Sequence, residues 1–299
     1  MQISSVITSQ LDIACHISGP ADGVPVILLH GWPDDVLTWD RMLPTLHEVG
    51  FRTYVPWLRG YGQTRFRDAN TPRNGQLVAL AKDVLEMAAA LGLPRFLLVG
   101  HDWGARAAYI ASVLSPERVA ACVALSVGWG TNDASQDMTY SQTQSYWYHW
   151  LMALDRGAAM IQNDRQNFTR HIWRIWNPGW TGWEKEFEAT MQAFDNPDWA
   201  AVTLHSYRVR WGLAPRDPAF DALETRVATD PKIRVPTMMI QGGADPCNLP
   251  ATSEGKEPLF AGRYERYVLA HAGHFPQRQD ADGVLGLCLP FLKAYMGQG

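Results

Sequence analysis

The chain has 299 residues, 46% of them hydrophobic and 19% charged. At roughly 150 residues per domain this allows one or two domains and a sizeable buried core. Its 26 basic and 30 acidic residues leave a formal net charge of −4, with no block of like charge, which excludes the basic stripe that a nucleic-acid binder needs. Four dispersed cysteines, Cys15, Cys122, Cys247 and Cys288, form no Cys/His cluster, so neither a zinc site nor a disulfide framework is expected. Without a basic, apolar leader or an apolar run of about eighteen residues, no membrane span is expected, and a cytoplasmic location is the default.

In chain order, residues 3–8 and 11–17 read as short strands, Cys15 being a half-buried strand residue. The compact apolar run Val24–Leu29 reads as a buried parallel strand. His30-Gly31-Trp32-Pro33-Asp34-Asp35 breaks it. A helix over Trp39–Val49, a strand over Phe51–Pro56, the turn Arg59-Gly-Tyr-Gly and a helix over Gln76–Leu91 follow. Phe96–Val99 is a second buried strand; it runs through Gly100-His101-Asp102-Trp103-Gly104 into a helix over Arg106–Leu114, and Val119–Val127 is a further strand. Strands alternating with helices predict a parallel sheet covered on both faces. The alternation stops at Gly128. Helical segments rich in Trp, Tyr and Arg run to about Arg216, and nine of the thirteen tryptophans lie between residues 129 and 211. Strands return at Val235–Ile240 and Tyr264–Leu269, before an amphipathic helix over Ala281–Tyr295. The expected organisation is an α/β core of residues 1–127 plus 217–299 with a helical insert, 128–216.

Gly100-x-Asp102-x-Gly104 between a strand and a helix is the nucleophile-elbow pattern with Asp in place of Ser: glycines let the chain turn tightly and present the central side chain at the sheet edge. Asp245, in the turn after the strand Thr237–Gln241, and His274, after the strand ending at Leu269, complete the order nucleophile, acid, histidine. Each has a bland reading, Asp102 as a helix cap, Asp245 as a turn residue and His274 as a surface histidine with His271 its competitor, but three placements after three strands are jointly hard to reach by accident. His101 reads as packing beneath the elbow. The backbone N–H groups of Trp32 and Trp103 are the candidate oxyanion-hole donors.

HGWPDD, GHDWGA, GGADP and HAGHFP, in this order over essentially the whole chain, resemble the epoxide hydrolase and haloalkane/haloacid dehalogenase branch of the α/β-hydrolase superfamily. The resemblance implies an α/β-hydrolase fold, a mostly parallel twisted sheet with helices on both faces and an inserted helical cap. It implies that Asp102 attacks an sp3 carbon to give an alkyl ester, and that a water activated by His274, itself oriented by Asp245, hydrolyses it. In the cap, Tyr207 matches the second of the paired tyrosines that protonate an epoxide oxygen. His149 stands at the first position, with Tyr148 and Tyr146 as alternatives. His149, Trp150 and Tyr207 also resemble the halide-binding set of fluoroacetate-type dehalogenases, in which two arginines hold the substrate carboxylate; Arg106 matches the second of these and Trp103 replaces the first. Trp150, Tyr148, Arg106 and Pro33 are the expected substrate contacts, with Trp150 the cap indole nearest the substrate, while Trp173, Trp176, Trp180 and Trp183 read as a packing stripe. Epoxide hydrolysis is the leading expectation; a dehalogenase with the same nucleophile, or a ligand-binding protein without turnover, are the alternatives. The expected partner is a small neutral, apolar or aromatic molecule, with no cofactor, no metal, no nucleic acid and no membrane; a homodimer is compatible with the sequence.

Overall fold

A computed structural model describes residues 2–131 and 137–297; positions 1, 132–136 and 298–299 of the expected segments lie outside the described residues. The sheet is built from β1 (Gln2–Ile7), β2 (Leu11–Ser18), β3 (Val24–Leu29), β4 (Phe51–Pro56), the short β5 (Arg65–Phe66), β6 (Phe96–His101), β7 (Val119–Leu125), β8 (Thr237–Gly242) and β9 (Tyr264–Leu269), in the order β1-β2-β4-β3-β6-β7-β8-β9 with β5 beside β2. The pairings from β4 through β9 are parallel, and those of β2 with β1, β4 and β5 are antiparallel. β6, β7 and β8 are buried at every residue, as continuous apolar runs covered on both faces must be.

Register positions the site. Leu29 pairs with Gly100, His101 with Leu125, Leu125 with Ile240 and Gly242 with Leu269. The segments that follow, His30–Trp32, Asp102, Ser126, Gly243–Asp245 and Ala270–His274, therefore all leave the same carboxyl edge, where ligands of open α/β sheets bind.

The helices are α1 (Leu43–Glu48), α2 (Leu77–Ala90), α3 (Trp103–Leu114), α4 (Tyr140–Ser145), α5 (Trp147–Ala153), α6 (Asp155–Asn163), α7 (Arg165–Trp176), α8 (Trp183–Thr190), α9 (Trp199–Arg210), α10 (Asp221–Thr229), α11 (Pro276–Gln279) and α12 (Ala281–Lys293). α4 to α9 fill the stretch between β7 and β8 without a strand among its described residues, and α10 returns to pack on α3. Most element ends fall within two residues of expectation; two helix starts differ by more. The helix expected over Trp39–Val49 is a 3-10 turn, Val36–Trp39, followed by α1; Pro44 fits only the first helical turn, where it has no N–H to lose. α3 begins three residues earlier than expected, directly after Asp102. Among the described residues no helix is long and apolar enough to cross a membrane.

One buried ion cluster ties insert to core. Arg278 on α11 pairs with Asp34 at 2.6 Å, with Asp35 at 3.5 Å and with Glu186 of α8 at 3.0 Å, and donates to Thr190 at 3.0 Å. Burial holds the Asp35 carboxyl up at about 8. The Asp34 carboxyl, in shorter contact with the guanidinium, stays below its usual range despite burial. Two carboxyls shifted in opposite directions thus face one guanidinium, with Glu186 as its third acidic partner.

Candidate active site

Asp102 follows β6 with φ 50 and ψ −112, in the left-handed half of the backbone map that a residue other than Gly rarely enters. The elbow is tight because its flanks have no side chains. A Cβ at Gly100 would lie 2.3 Å from the Gly104 carbonyl oxygen, and one at Gly104 would lie 2.3 Å from that of Leu29. Gly31 likewise lies against Asp102, its hypothetical Cβ 2.4 Å from the Asp102 Cβ.

That approach lets the Trp32 N–H donate to Asp102 Oδ1 at 2.9 Å. Trp103 is the first residue of α3, so its N–H belongs to the first turn, which has no intrahelical acceptor. Oδ2 is left facing His274 Nε2 at 3.8 Å. The other ring nitrogen, Nδ1–H, donates to Asp245 Oδ2 at 2.9 Å, while Asp245 Oδ1 accepts the N–H groups of Cys247 at 2.8 Å and Asn248 at 3.1 Å. The expected three residues are therefore brought together: Asp102 is 6% exposed, Asp245 2% and His274 fully buried. Burial pulls the His274 pKa down, but the charge and hydrogen bond of Asp245 and the charge of Asp102 outweigh it, and the net shift is upward from the ordinary 6.5. His271 is exposed and plays no part. His101 donates from Nε2 to the His274 carbonyl oxygen at 2.7 Å, and Ser126 Oγ–H donates to the same oxygen at 2.8 Å, so both hold the His274 loop from below.

Aromatic rings of the insert close the site. Tyr207 stands 5.2 Å from the Trp32 ring and 5.7 Å from the Trp103 ring, centroid to centroid. Burial first, and then the Asp102 charge, hold its phenol well above the usual range, so Tyr207 is a neutral donor. His149 packs 4.6 Å from Tyr207 and stacks on Tyr146 at 4.3 Å. Its Nδ1 accepts the Trp211 indole N–H at 3.2 Å. The ring proton therefore sits on Nε2, which is buried with no partner among the described residues. Burial, with Arg210 and Arg106 nearby, holds His149 well below its ordinary pKa, making it a neutral imidazole with one free N–H.

The alternatives to His149 are engaged elsewhere. The Tyr146 hydroxyl donates to Asn248 Oδ1 at 2.7 Å. Tyr148 lies 3.4 Å from Cys247 Sγ through its hydroxyl and stacks on Trp32 at 5.5 Å. Tyr148 is thereby placed between Cys247 and the Trp32 ring. The contacts of Trp150 lie within the insert. Its indole N–H donates to the Thr143 carbonyl at 2.9 Å and its ring packs on Trp211 at 4.9 Å. The insert indole that reaches the triad is Trp176, assigned to the packing stripe; it lies 4.6 Å from the His274 ring and 5.7 Å from Trp32, and its carbonyl accepts the His274 N–H at 3.0 Å. Pro33 serves the same interface, its carbonyl accepting the Trp173 indole N–H at 2.6 Å. Arg106, on α3, is 5% exposed and donates to the Thr131 carbonyl at 2.8 Å.

Two groups went unread in the sequence. Tyr61, in the Gly60–Gly62 turn, is fully buried and lies 6.4 Å from the Trp103 ring and 6.3 Å from the Trp199 ring, centroid to centroid. Arg210, three residues after Tyr207, lies over the Tyr207 and Trp103 rings at 4.8 and 5.6 Å. An i, i+3 spacing from Tyr207 was the available signal. As for a metal, Asp245, Cys247 and His274 bring donor atoms within 4.8 Å of one another. The Cys247 thiol is pushed well up by burial and His274 Nδ1 is already committed to Asp245, so the set serves the hydrogen-bond relay.

The alpha/beta hydrolase fold family matches residues 24–281. A crystal structure from Klebsiella pneumoniae subsp. pneumoniae, provisionally described as an epoxide hydrolase, superposes with a TM-score of 0.90 at 35% identity, covering 97% of this chain and 96% of that one. Epoxide hydrolase 3 of Siraitia grosvenorii is 36% identical over 126 residues, which is 42% of this chain and spans only 39% of that relative. Epoxide hydrolase 4 of Homo sapiens is 24% identical over 287 residues, 93% of this chain and 75% of that protein. The chain belongs to the α/β-hydrolase superfamily and, within it, to the epoxide hydrolase branch.

Proposed function

We propose that the protein opens epoxides to vicinal diols through an ester on Asp102. The observation that carries this reading is the placement of a carboxylate, not a hydroxyl, on the elbow, with Oδ1 held by the Trp32 N–H and Oδ2 left free. A carboxylate attacking an acyl carbon would give a reactive anhydride, whereas attack on an sp3 carbon gives a stable ester. Oδ2 forms the new C–O bond while the C–O bond of the strained ring breaks. The ring oxygen leaves as an alkoxide and takes a proton from the Tyr207 hydroxyl, with the His149 Nε2–H as second donor.

The ester is then hydrolysed. Esterification removes the Asp102 charge that helped to raise the His274 pKa, which moves His274 towards its neutral, basic form. Its Nε2 takes a proton from a water that attacks the Asp102 carbonyl carbon, and the Trp32 N–H, with that of Trp103, stabilises the oxyanion at Oδ1. Collapse breaks the Cγ–Oδ2 bond, His274 returns its proton to the departing Oδ2 so that the diol leaves with that oxygen, and the second proton of the water restores the Tyr207 phenol, leaving Asp102 ionised. The insert acts in this reading as a cap whose rings keep bulk water from the carboxylate, and its indoles and phenols favour an apolar or aromatic group beside the oxirane.

The dehalogenase reading needs an indole N–H from Trp150 for the halide, and that N–H is bound to Thr143. A binding protein without turnover has no need of the His274–Asp245 relay. The test is to incubate the protein with styrene oxide and, separately, with chloroacetate and fluoroacetate. Diol formation, with His274→Ala gaining the mass of a whole epoxide, is the expected result; halide release without diol overturns the proposal.

A further inference from the structure

The loop that carries His274 is gripped from two sides. From the core, His101 and Ser126 donate to the His274 carbonyl oxygen. From the insert, the end of α7 supplies acceptors for two amides of the loop: the Trp176 carbonyl takes the His274 N–H at 3.0 Å, and Asn177 Oδ1 takes the Phe275 N–H at 3.1 Å. A helix end is suited to this, because its last four carbonyls have no intrahelical donor. Asn177, which ends α7 and is 2% exposed, is fixed in turn by its Nδ2–H, which donates to the Trp173 carbonyl at 3.0 Å. The approach is close enough to need a glycine opposite it. A Cβ on Gly273 would lie 2.7 Å from the Trp176 carbonyl oxygen and 2.9 Å from the Asn177 Cα.

These bonds bear on the direction of one side chain. The peptide units on either side of the His274 Cα are rigid planes, and together they set where its Cα–Cβ bond points. The unit before it is held by Trp176. The unit after it is held at its oxygen by the core and at its nitrogen by Asn177. Loss of the Asn177 acceptor leaves the buried Phe275 N–H unpaired and lets that plane pivot about its oxygen. The Asp245 bond to Nδ1 restrains the ring but not the plane that carries it. Nε2, 3.8 Å from Asp102 Oδ2, then swings away from the place where it must meet the attacking water, and a misplacement of about 1 Å costs on the order of 10²-fold in rate.

We propose that Asn177 is a positioning residue for His274, through which the docked end of α7 sets the base for ester breakdown. The kinetic consequence rests on the epoxide-opening function proposed above; the orientation of His274 does not. Ring opening uses Asp102, set by the elbow and the Trp32 N–H, and Tyr207 on α9. The two steps should therefore respond differently to a change at Asn177.

The kinetic half is tested in single turnovers of styrene oxide, quenched and read by intact mass, with circular dichroism to verify folding. Asn177→Ala should slow breakdown of the alkyl-enzyme by about tenfold or more at the high-pH limit, where His274 is neutral, and leave its formation unchanged, so that the ester accumulates. Asn177→Asp keeps an acceptor for the Phe275 N–H and should fall between Asn177→Ala and the wild type. Gly273→Ala forces the helix end and the loop apart without altering Asn177, and should slow the same step. Thr169→Ala, which removes a buried hydroxyl that donates to carbonyls of its own helix, α7, is the control for a loosened helix and should change neither step. Unchanged breakdown in Asn177→Ala, or in Gly273→Ala should Asn177→Ala not fold, overturns the proposal, as does formation slowed as much as breakdown or an equal loss in Thr169→Ala. The orientation is read without substrate from the His274 Nδ1–H proton resonance, which should move in Asn177→Ala and not in Thr169→Ala; an unmoved resonance overturns it. If the resonance moves and the wild type opens no epoxide, the proposed function fails and the positioning of His274 stands.

Discussion

The sheet edge and the helical insert build their parts of the site differently. At the edge each reacting group is pinned by backbone. Asp102 is set by a left-handed elbow and the Trp32 N–H, Asp245 by two amides, and the His274 loop by hydrogen bonds to its own carbonyl and N–H. In the insert, Tyr207 and His149 are held by ring packing and one indole hydrogen bond. Under the proposed function, the difference places bond making on the core and proton delivery and substrate choice on side chains that packing alone positions.

The largest effect should come from the edge. Asp102→Asn keeps the acceptor oxygen for Trp32 but loses the nucleophile, and should reduce turnover by about 10⁴-fold or more; steady-state diol formation measures it. His274→Ala should leave ring opening intact and stop ester breakdown, so that the alkyl-enzyme accumulates, visible by intact mass. In the wild type, breakdown of that ester should fall as pH drops, because His274 must be neutral to act as base. Since the esterified Asp102 no longer raises its pKa, this fall should come at lower pH than the His274 titration of the resting enzyme by NMR. Coincident midpoints would contradict the electrostatic argument.

Changes in the insert should separate the two regions. Tyr207→Phe should slow single-turnover ring opening by about 10²–10⁴-fold with little change in ester hydrolysis; equal losses in both steps would erase the division of labour. Arg278→Met breaks the clamp between them and leaves Asp34 ionised and buried, costing about 3–5 kcal/mol of stability on urea titration. Asp35→Asn should be the mildest of all, since its carboxyl, held up at about 8, is already protonated near neutral pH. A loss as large as that of Asp34→Asn would mean that both carboxyls are ionised.

The same contrast explains what was legible in the sequence. β3, β6 and β7 are continuous apolar runs, each followed by a Gly-rich break, so the strands and the positions of Asp102, Asp245 and His274 at one edge follow from local pattern. The helix boundaries near Pro44 and Asp102 shifted by a few residues because a proline and a strained elbow, not periodicity, decide them. In the insert, the contacts join residues far apart in the chain: Trp176 with His274, Trp211 with His149, Arg210 with Trp103. Helical spacing assigns a tryptophan to a face but not to a partner, which is why Trp150 was expected at the substrate and Trp176 in the packing stripe, and why Arg210 was not singled out at all.

The covalent role of Asp102 is tested most directly by a single turnover of an epoxide in water enriched in oxygen-18. The account predicts the label in the peptide containing Asp102 and an unlabelled diol, because water attacks the carbonyl carbon and the diol leaves with the old Oδ2. Label in the diol and none in Asp102 would mean that water opens the ring directly, and would contradict it.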